Sequence, residues 1–250
     1  MGENMGDTPQ WKLRISHLDP STQETYSRIC RRYGVSDDTT WADISKHVEK
    51  IRNPNTKRSV IGALITCLGT KEGAPKQPRP VPKVYDLPDH CQIQQMAEQG
   101  YGAFIYAMAY AGLRVGEAVA LRPEDLGKSG GRHWIDVRAS KQYTGRIKEP
   151  KTGSGRVLIP GWLYEYLASA EYPEILPNSL YKWMKRRGIN PHALRHFYAT
   201  YLVRNVSNPE LARRQLRHAN LTTTLAFYAQ ITADDEAAAV QAIPDPRQAA

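Results

Sequence analysis

The chain has 250 residues, of which 41% are hydrophobic and 24% charged, so it can form one large domain or two small ones with real cores. A formal net charge of +9, with a sequence pI near 9.4, favours a polyanionic partner such as nucleic acid or an anionic membrane. Three widely spaced cysteines argue against a disulfide scaffold and a zinc site, and the most apolar stretch is too short to span a bilayer. The first residues lack the apolar segment of a signal peptide, which predicts a cytoplasmic protein.

The amino-terminal third predicts a small helical module. Residues 1–10 are polar and are expected to be disordered. Helix-start signals follow at Pro20, Thr40 and Asn53, each ahead of apolar residues at helical spacing, and Gly69 ends the third pattern. We therefore predict a helical domain over residues 11–72, with Cys30 and Cys67 as core thiols.

A proline-rich, basic stretch follows the helical module. Prolines that crowd a short segment exclude a helix and favour extended geometry, so residues 73–88 are predicted to be a semi-stiff basic linker. The alternative is a surface loop within one domain. The candidate nucleic-acid contacts are the basic residues of this region, Lys71, Lys76, Arg79 and Lys83.

The remainder predicts a mainly α domain with a small sheet, over residues 89–243, and a flexible tail at 244–250. Residues 133–138 alternate as a strand does, and residues 146–148 and 156–159 complete a predicted three-stranded antiparallel sheet. Helical patterns precede and follow these strands. The expected fold class is therefore a small helical domain plus an α+β domain.

Residues with the chemistry to cleave a phosphodiester are distributed over this second domain. Arginines bind the non-bridging oxygens of a phosphate with forked donors, and a tyrosine near a base can become a covalent nucleophile. Glu117, three residues after Arg114, is suited to orient that arginine. The candidates occur in the order Arg114, Lys151, His192, Arg195, His218 and Tyr228.

This order, with the motifs Gly112-Leu113-Arg114-Val115-Gly116-Glu117 and His192-x-x-Arg195, resembles the tyrosine recombinase, or phage integrase, family. The resemblance is sharpest from about Tyr106 to Tyr228. It implies that residues 11–72 are a core-binding domain and residues 89–243 the catalytic domain.

The resemblance also implies a role for each candidate. Arg114 and Arg195 would bind the scissile phosphate, His192 would accept a proton or a hydrogen bond near the nucleophile, and His218 would donate to the phosphate. A lysine on a hairpin would protonate the leaving 5′ oxygen. Lys151 is the candidate, because Lys151 to Arg156 and the apolar residues after it match the family hairpin, whereas Lys148 is the rival and Lys141 a weaker one. His196 faces another side of its helix and is expected to be structural.

The chain departs from the family pattern at two positions. The family commonly has a glycine before the late histidine, where this chain has Arg217. The separation of His218 and Tyr228 is one residue longer than usual, so that Phe227 stands in the usual slot. Either the turn over residues 220–224 absorbs the extra residue, which we favour, or the site is damaged.

The implied function is site-specific recombination through a 3′-phosphotyrosine, with duplex DNA carrying paired sites as the partner. A homo-tetramer on DNA is implied, with residues about 233–243 reaching a neighbouring subunit. No metal or other cofactor is expected, since the intermediate conserves the phosphodiester energy. The alternatives are a catalytically impaired DNA-binding accessory protein and a type IB topoisomerase-like enzyme.

Overall fold

The computed structural model describes residues 8–81, 83–206 and 208–228, the last three by their backbone alone. The chain divides between Val84 and Tyr85 into two compact units, which we call the first and the second unit. Within the described residues, no helix has the length and apolar character needed to cross a membrane.

The first unit contains four helices: α1 Gln10–Ile15, α2 Pro20–Arg32, α3 Trp41–Glu49 and α4 Pro54–Leu68. The predicted start signals act as caps, since the side chains of Asp19 and Asn53 accept hydrogen bonds from backbone N–H groups of α2 and α4. The core includes Cys30 and Cys67, and both thiols are buried as predicted. Helix α1 was not predicted, and it begins inside the segment expected to be disordered; residues 1–7 of that segment lie outside the described part.

The described proline-rich residues after α4 form neither helix nor strand. The side-chain amide of Asn55, in α4, both donates to the Val81 carbonyl at 2.7 Å and accepts from the Val81 N–H at 2.9 Å. Arg58 donates to the Pro78 carbonyl at 3.2 Å. Up to Val81 the segment therefore lies against the first unit. The limits of the predicted domains and linker stay predictions.

The second unit is mainly helical around a small sheet. Its helices are α5 His90–Glu98, α6 Gly102–Tyr110, α7 Val115–Ala120, α8 Gly161–Ser169, α9 Pro177–Lys185, α10 Pro191–Asn205, α11 Pro209–Leu216 and α12 Leu221–Tyr228. The strands are β1 Leu126–Ser129, β2 Arg132–Val137, β3 Ser140–Lys141, β4 Ile147–Lys148 and β5 Gly155–Ile159. The most apolar helix, α6, supplies fully buried Phe104, Ile105 and Met108 to the core.

A three-stranded antiparallel sheet is present as predicted, but one strand was assigned wrongly. The order is β1-β2-β5, so the third strand is Leu126–Ser129 and not residues 146–148. Residues 147–148 instead form β4, which pairs with β3 in a separate two-stranded hairpin. Gly127 explains why the sequence did not predict β1, because a glycine weakens the residue pattern of a strand. The structure needs glycine at this position, since a Cβ would lie 2.3 Å from the Trp134 ring, which packs over it.

Candidate active site

Arg114 lies at the start of α7, just after a sharp turn that ends α6. Gly112 adopts φ +66°, and a Cβ at that position would lie 2.5 Å from the Tyr198 ring, so the turn requires glycine. The backbone N–H of Arg114 donates to Glu117 Oε2 at 2.8 Å, which caps α7. Gly112 and Glu117 of this motif therefore determine the turn before Arg114 and the position of Arg114 at the start of α7.

Glu117 is buried and paired with two arginines. Its Oε1 lies 3.0 Å from Nη1 of Arg114 and 2.6 Å from Nη2 of Arg217. Burial acts to raise the pKa of the Glu117 carboxyl, but Arg217 and then Arg114 outweigh it, and its pKa lies below the usual value. Glu117 is therefore an ionised bridge between two guanidinium groups.

Arg195, on α10, is buried and joins two loops of the second unit. Its guanidinium donates to the carbonyls of Gly112 and Leu216, which immediately precede the Arg114 and His218 segments. Burial, followed by the charge of Arg114, lowers the pKa of Arg195, although Glu117 partly opposes this. The structure thus brings Arg114 and Arg195 close enough to interact electrostatically, as a shared phosphate requires.

His218 is buried, and its Nδ1 lies 2.9 Å from the hydroxyl oxygen of Thr224, which is fully buried in α12. Burial, with Arg195 and Arg114 nearby, lowers the pKa of His218 to about 4, so the imidazole is neutral at physiological pH. If Nδ1 accepts from the Thr224 hydroxyl, then Nε2 carries the proton and can donate. Thr224 is a site residue that the sequence indicated only as part of a turn.

Two contacts fix the loop that carries His218. The side-chain amide of Gln215 exchanges two hydrogen bonds of 3.1 Å with the backbone of Leu158, so α11 is tied to β5. Arg213 donates to the His218 carbonyl at 2.8 Å. The loop is therefore held from both the sheet and its own helix.

Arg217 is the residue whose importance the sequence did not reveal. In the sequence it stands out only because the family commonly has glycine at this position, yet its side chain is 7% exposed and reaches Glu117. Its backbone has φ +50°, so the arginine keeps the left-handed conformation that glycine would adopt easily. The loop geometry is thus compatible with the substitution.

The hairpin that follows β4 approaches Arg114 through a threonine. Thr152 Oγ1 accepts a hydrogen bond of 3.2 Å from Arg114 Nη1, and the neighbouring Lys151 is exposed. The rival Lys148 is exposed on β4, whereas Lys141 is buried and paired with Glu174. Of the three lysines, Lys151 lies next in sequence to a direct partner of Arg114.

The two histidines of α10 differ in their surroundings. His192 is exposed at the first turn of the helix, one turn before Arg195. His196 is partly buried against Tyr85, with ring centroids 4.3 Å apart. Burial and then the charges of His192 and Arg195 lower the pKa of His196 to about 4. This packing agrees with the structural role expected for His196.

Tyr228 is the final residue of α12, which begins three residues after His218. The side chain of Tyr228 lies outside the described residues, as does the segment 233–243. In the first unit, Lys71, Lys76, Arg79 and Lys83 are all exposed, and within the described part of the chain none of them forms a salt bridge. The roles of these residues stay predictions.

Comparisons with known proteins find similar sequences among the tyrosine recombinases. The chain is 26% identical over 179 residues to tyrosine recombinase XerC of Vibrio atlanticus, which covers 62% of the chain and 56% of the relative. It is 28% identical over 174 residues to XerC of Escherichia coli, with 60% and 57% covered. The chain thus spans just over half the length of these relatives. No family model matches it.

Solved structures share the fold. A Tn1549 transposon integrase in complex with circular intermediate DNA superposes with a TM-score of 0.66 at 19% identity, covering 94% of this chain and 99% of that one. A lambda integrase dimer bound to a core site gives 0.60 at 13% identity, covering 87% and 92%. The chain is therefore similar in sequence to tyrosine recombinases and shares the fold of these integrases.

Proposed function

We propose that the protein is a site-specific recombinase that cleaves and rejoins DNA through a 3′-phosphotyrosine intermediate. The observation that carries the proposal is the cationic cluster around buried Glu117, in which the side chains of Arg195 and Arg217 are buried, Arg114 is partly exposed, and His218 lies beside them. Its positive charge exceeds its negative charge, and buried charge of one sign is stable only with a counter-ion. A phosphodiester supplies that charge and accepts forked guanidinium donors.

In the proposed reaction, the Tyr228 hydroxyl oxygen attacks the scissile phosphorus. The new P–O bond to tyrosine forms as the bond to the 5′ oxygen breaks, and the charge that develops on the non-bridging oxygens is stabilised by Arg114 and Arg195. His192 accepts the tyrosine proton and Lys151 gives a proton to the leaving oxygen. Rejoining reverses these transfers, so the phosphodiester energy is conserved.

His218 would hold the phosphate as a neutral donor. Its low pKa keeps the imidazole uncharged, and Thr224 selects the tautomer when its hydroxyl donates to Nδ1. Nε2 would then be protonated and would donate to a non-bridging oxygen. A neutral donor adds a hydrogen bond without adding to the repulsion among the guanidinium groups.

Duplex DNA would be held by both units through its phosphates. The chain carries a formal charge of +9, and the predicted linker cations are exposed. In the first unit a groove of about 620 Å³ is lined by basic and polar side chains, among them Arg28, Arg32 and Lys83. Such cations release counterions from DNA, so binding should weaken steeply and log-linearly with salt.

We further propose that a homo-tetramer pairs two DNA sites, with residues 233–243 of one subunit reaching the next. A groove of about 620 Å³ on the second unit offers an apolar surface for such a segment. Trp162 and Tyr201 in its lining are each about half exposed. We expect the protein to act in the cytoplasm of its own cell or, if a phage encodes it, in the cytoplasm of the host cell.

The test is covalent capture. A pool of duplexes with a randomised core and a nick that lets the cleaved fragment diffuse away would be incubated with the protein, denatured in detergent, and the protein-linked DNA sequenced. The proposal predicts a covalent adduct with an enriched sequence. Reversible binding alone would mean an accessory DNA-binding protein, and adducts that never require paired sites would mean a topoisomerase-like enzyme.

Variants at the end of α12 locate the nucleophile. Tyr228→Phe should abolish the adduct while DNA affinity is retained, because only the hydroxyl is lost. Tyr143→Phe, which removes an exposed hydroxyl from the turn between β3 and β4, is the matched control and should react normally. An adduct that persists in Tyr228→Phe would show that another residue is the nucleophile. If Phe227→Tyr restores the adduct to the Tyr228→Phe protein, the site also accepts a hydroxyl one residue earlier.

A further inference from the structure

Arg217 has an unusual backbone conformation for its residue type. It follows α11 with φ +50° and ψ +45°, in the left-handed region, and outside glycine only it and Tyr101 have positive φ within the described part of the chain. Side chains with a Cβ are disfavoured there. Such an outlier near a reaction centre is a reason to look for a role of the side chain.

The guanidinium of Arg217 is buried and incompletely paired. Its Nη2 lies 2.6 Å from Glu117 Oε1, yet neither Nη1 nor Nη2 has a hydrogen-bond acceptor of good geometry among the described residues. Gly155 makes room for the side chain, because a Cβ there would lie 3.3 Å from Arg217 Cδ. Buried donors without an acceptor are costly, and a ligand oxygen would satisfy them.

The charge of the cluster points to an anion. Arg114, Arg195 and Arg217 with one carboxylate, Glu117, sum to a formal charge of +2. A phosphodiester carries one negative charge, and the pentacoordinate transition state of its cleavage carries a second. A third guanidinium therefore stabilises the transition state more than the ground state. Such differential stabilisation is how a preorganised site accelerates a reaction.

We propose that Arg217 is a third phosphate-binding arginine, whose free N–H donors contact a non-bridging oxygen of the scissile phosphate. The inference rests on the proposed function, since it assigns a further residue to the same site. Arg217 occupies the position where related sequences commonly have glycine. Its positive charge would serve catalysis in this chain. Glu117 holds both Arg114 and Arg217 in position for the same anion.

The experiment compares two substrates of the sequence selected by covalent capture. One has the natural phosphodiester, and the other has a neutral methylphosphonate at the scissile position, in which a methyl group replaces one non-bridging oxygen. The variant is Arg217→Gly, because glycine tolerates the positive φ. Arg214→Ala, which removes an exposed arginine of the preceding helix, is the control.

Loss of Arg217 should slow adduct formation on the phosphodiester by about 10²–10³-fold, as for other preorganised donors. On the methylphosphonate the loss should shrink to below about tenfold, since less charge develops there. Arg217→Lys should recover part of the rate, and Arg214→Ala should leave both rates near wild type. Circular dichroism would check that each variant is folded.

Equal losses on the two substrates would show that Arg217 has only a structural role, and an unchanged rate on the phosphodiester would show that it has none. Either result overturns the inference while the wild-type adduct leaves the proposed function standing. If the wild-type protein forms no adduct at all, the proposed function fails first and this inference with it.

Discussion

Replacing Glu117 with glutamine would remove the buried charge that joins two arginines. The substitution keeps the side-chain volume and an oxygen that can accept from the Arg114 N–H. It leaves Arg114, Arg195 and Arg217 without a counter-charge in a site where Glu117 is 2% exposed. Breaking a buried pair costs about 3–5 kcal/mol, and we take the lower end because glutamine retains a hydrogen bond.

A loss of about 3 kcal/mol should lower the melting temperature by about 6–12 °C in a unit of this size. The effect should depend on pH with a defined sign. The pKa of Glu117 is lower in the folded protein than the ordinary 4.5, so its carboxylate stabilises the fold above that pH. The contribution fades as the pH falls through the folded pKa, and wild type and Glu117→Gln should converge there.

Thermal denaturation of the full chain at pH 7 and in acid measures both effects. Glu210→Gln is the matched control, because Glu210 also pairs with two arginines, Arg213 and Arg214, but is 38% exposed. Its loss should change the melting temperature little, because solvent screens exposed ion pairs. Equal melting temperatures for wild type and Glu117→Gln at pH 7 would refute the bridging role of Glu117.

Three further results are expected. Gly112→Ala should destabilise the protein by at least about 1–2 kcal/mol in denaturant titration, because alanine is strained at φ +66° and its Cβ would meet the Tyr198 ring; a neutral change would contradict the turn geometry. Arg114→Ala and Arg195→Ala should each slow cleavage by about 10²–10³-fold, with a double variant far from additive in single-turnover assays; independent losses would argue against one shared phosphate. Folding stability should decline between pH 6.5 and about 4, because the unfolded chain protonates His218 and the folded one does not; His218→Gln should lessen that decline.

The helices were predictable because apolar residues recur at helical spacing and the caps carry the expected residues, as at Asn53 and Gly69. The order of the motifs indicated the loops that we propose to be catalytic. The number of strands in the sheet was predicted correctly, but one of the strands was not. Strand β1 was not recognised because it contains Gly127, where the absence of a side chain lets the Trp134 ring pack against the backbone. Helix α1 was missed because its six residues follow a polar start and lack a side-chain cap.

The residues that the sequence did not reveal act through long-range contacts. Arg217 reaches Glu117 from another loop, and Thr224 meets His218 only because α12 folds back on the end of α11. A single sequence contains no signal for such pairs beyond a departure from a motif, which Arg217 provided. Arg195 was assigned to a phosphate, but its hydrogen bonds to two loop carbonyls were not foreseeable.

The most direct test of the proposed 3′-phosphotyrosine is to identify the protein atom that becomes linked to DNA. The captured adduct would be digested with protease and nuclease, and the modified peptide sequenced by mass spectrometry. We predict a nucleotide 3′-phosphate on Tyr228 and a free 5′ hydroxyl on the released strand. A 5′-linked nucleotide, or a modification on any residue other than Tyr228, would contradict this prediction.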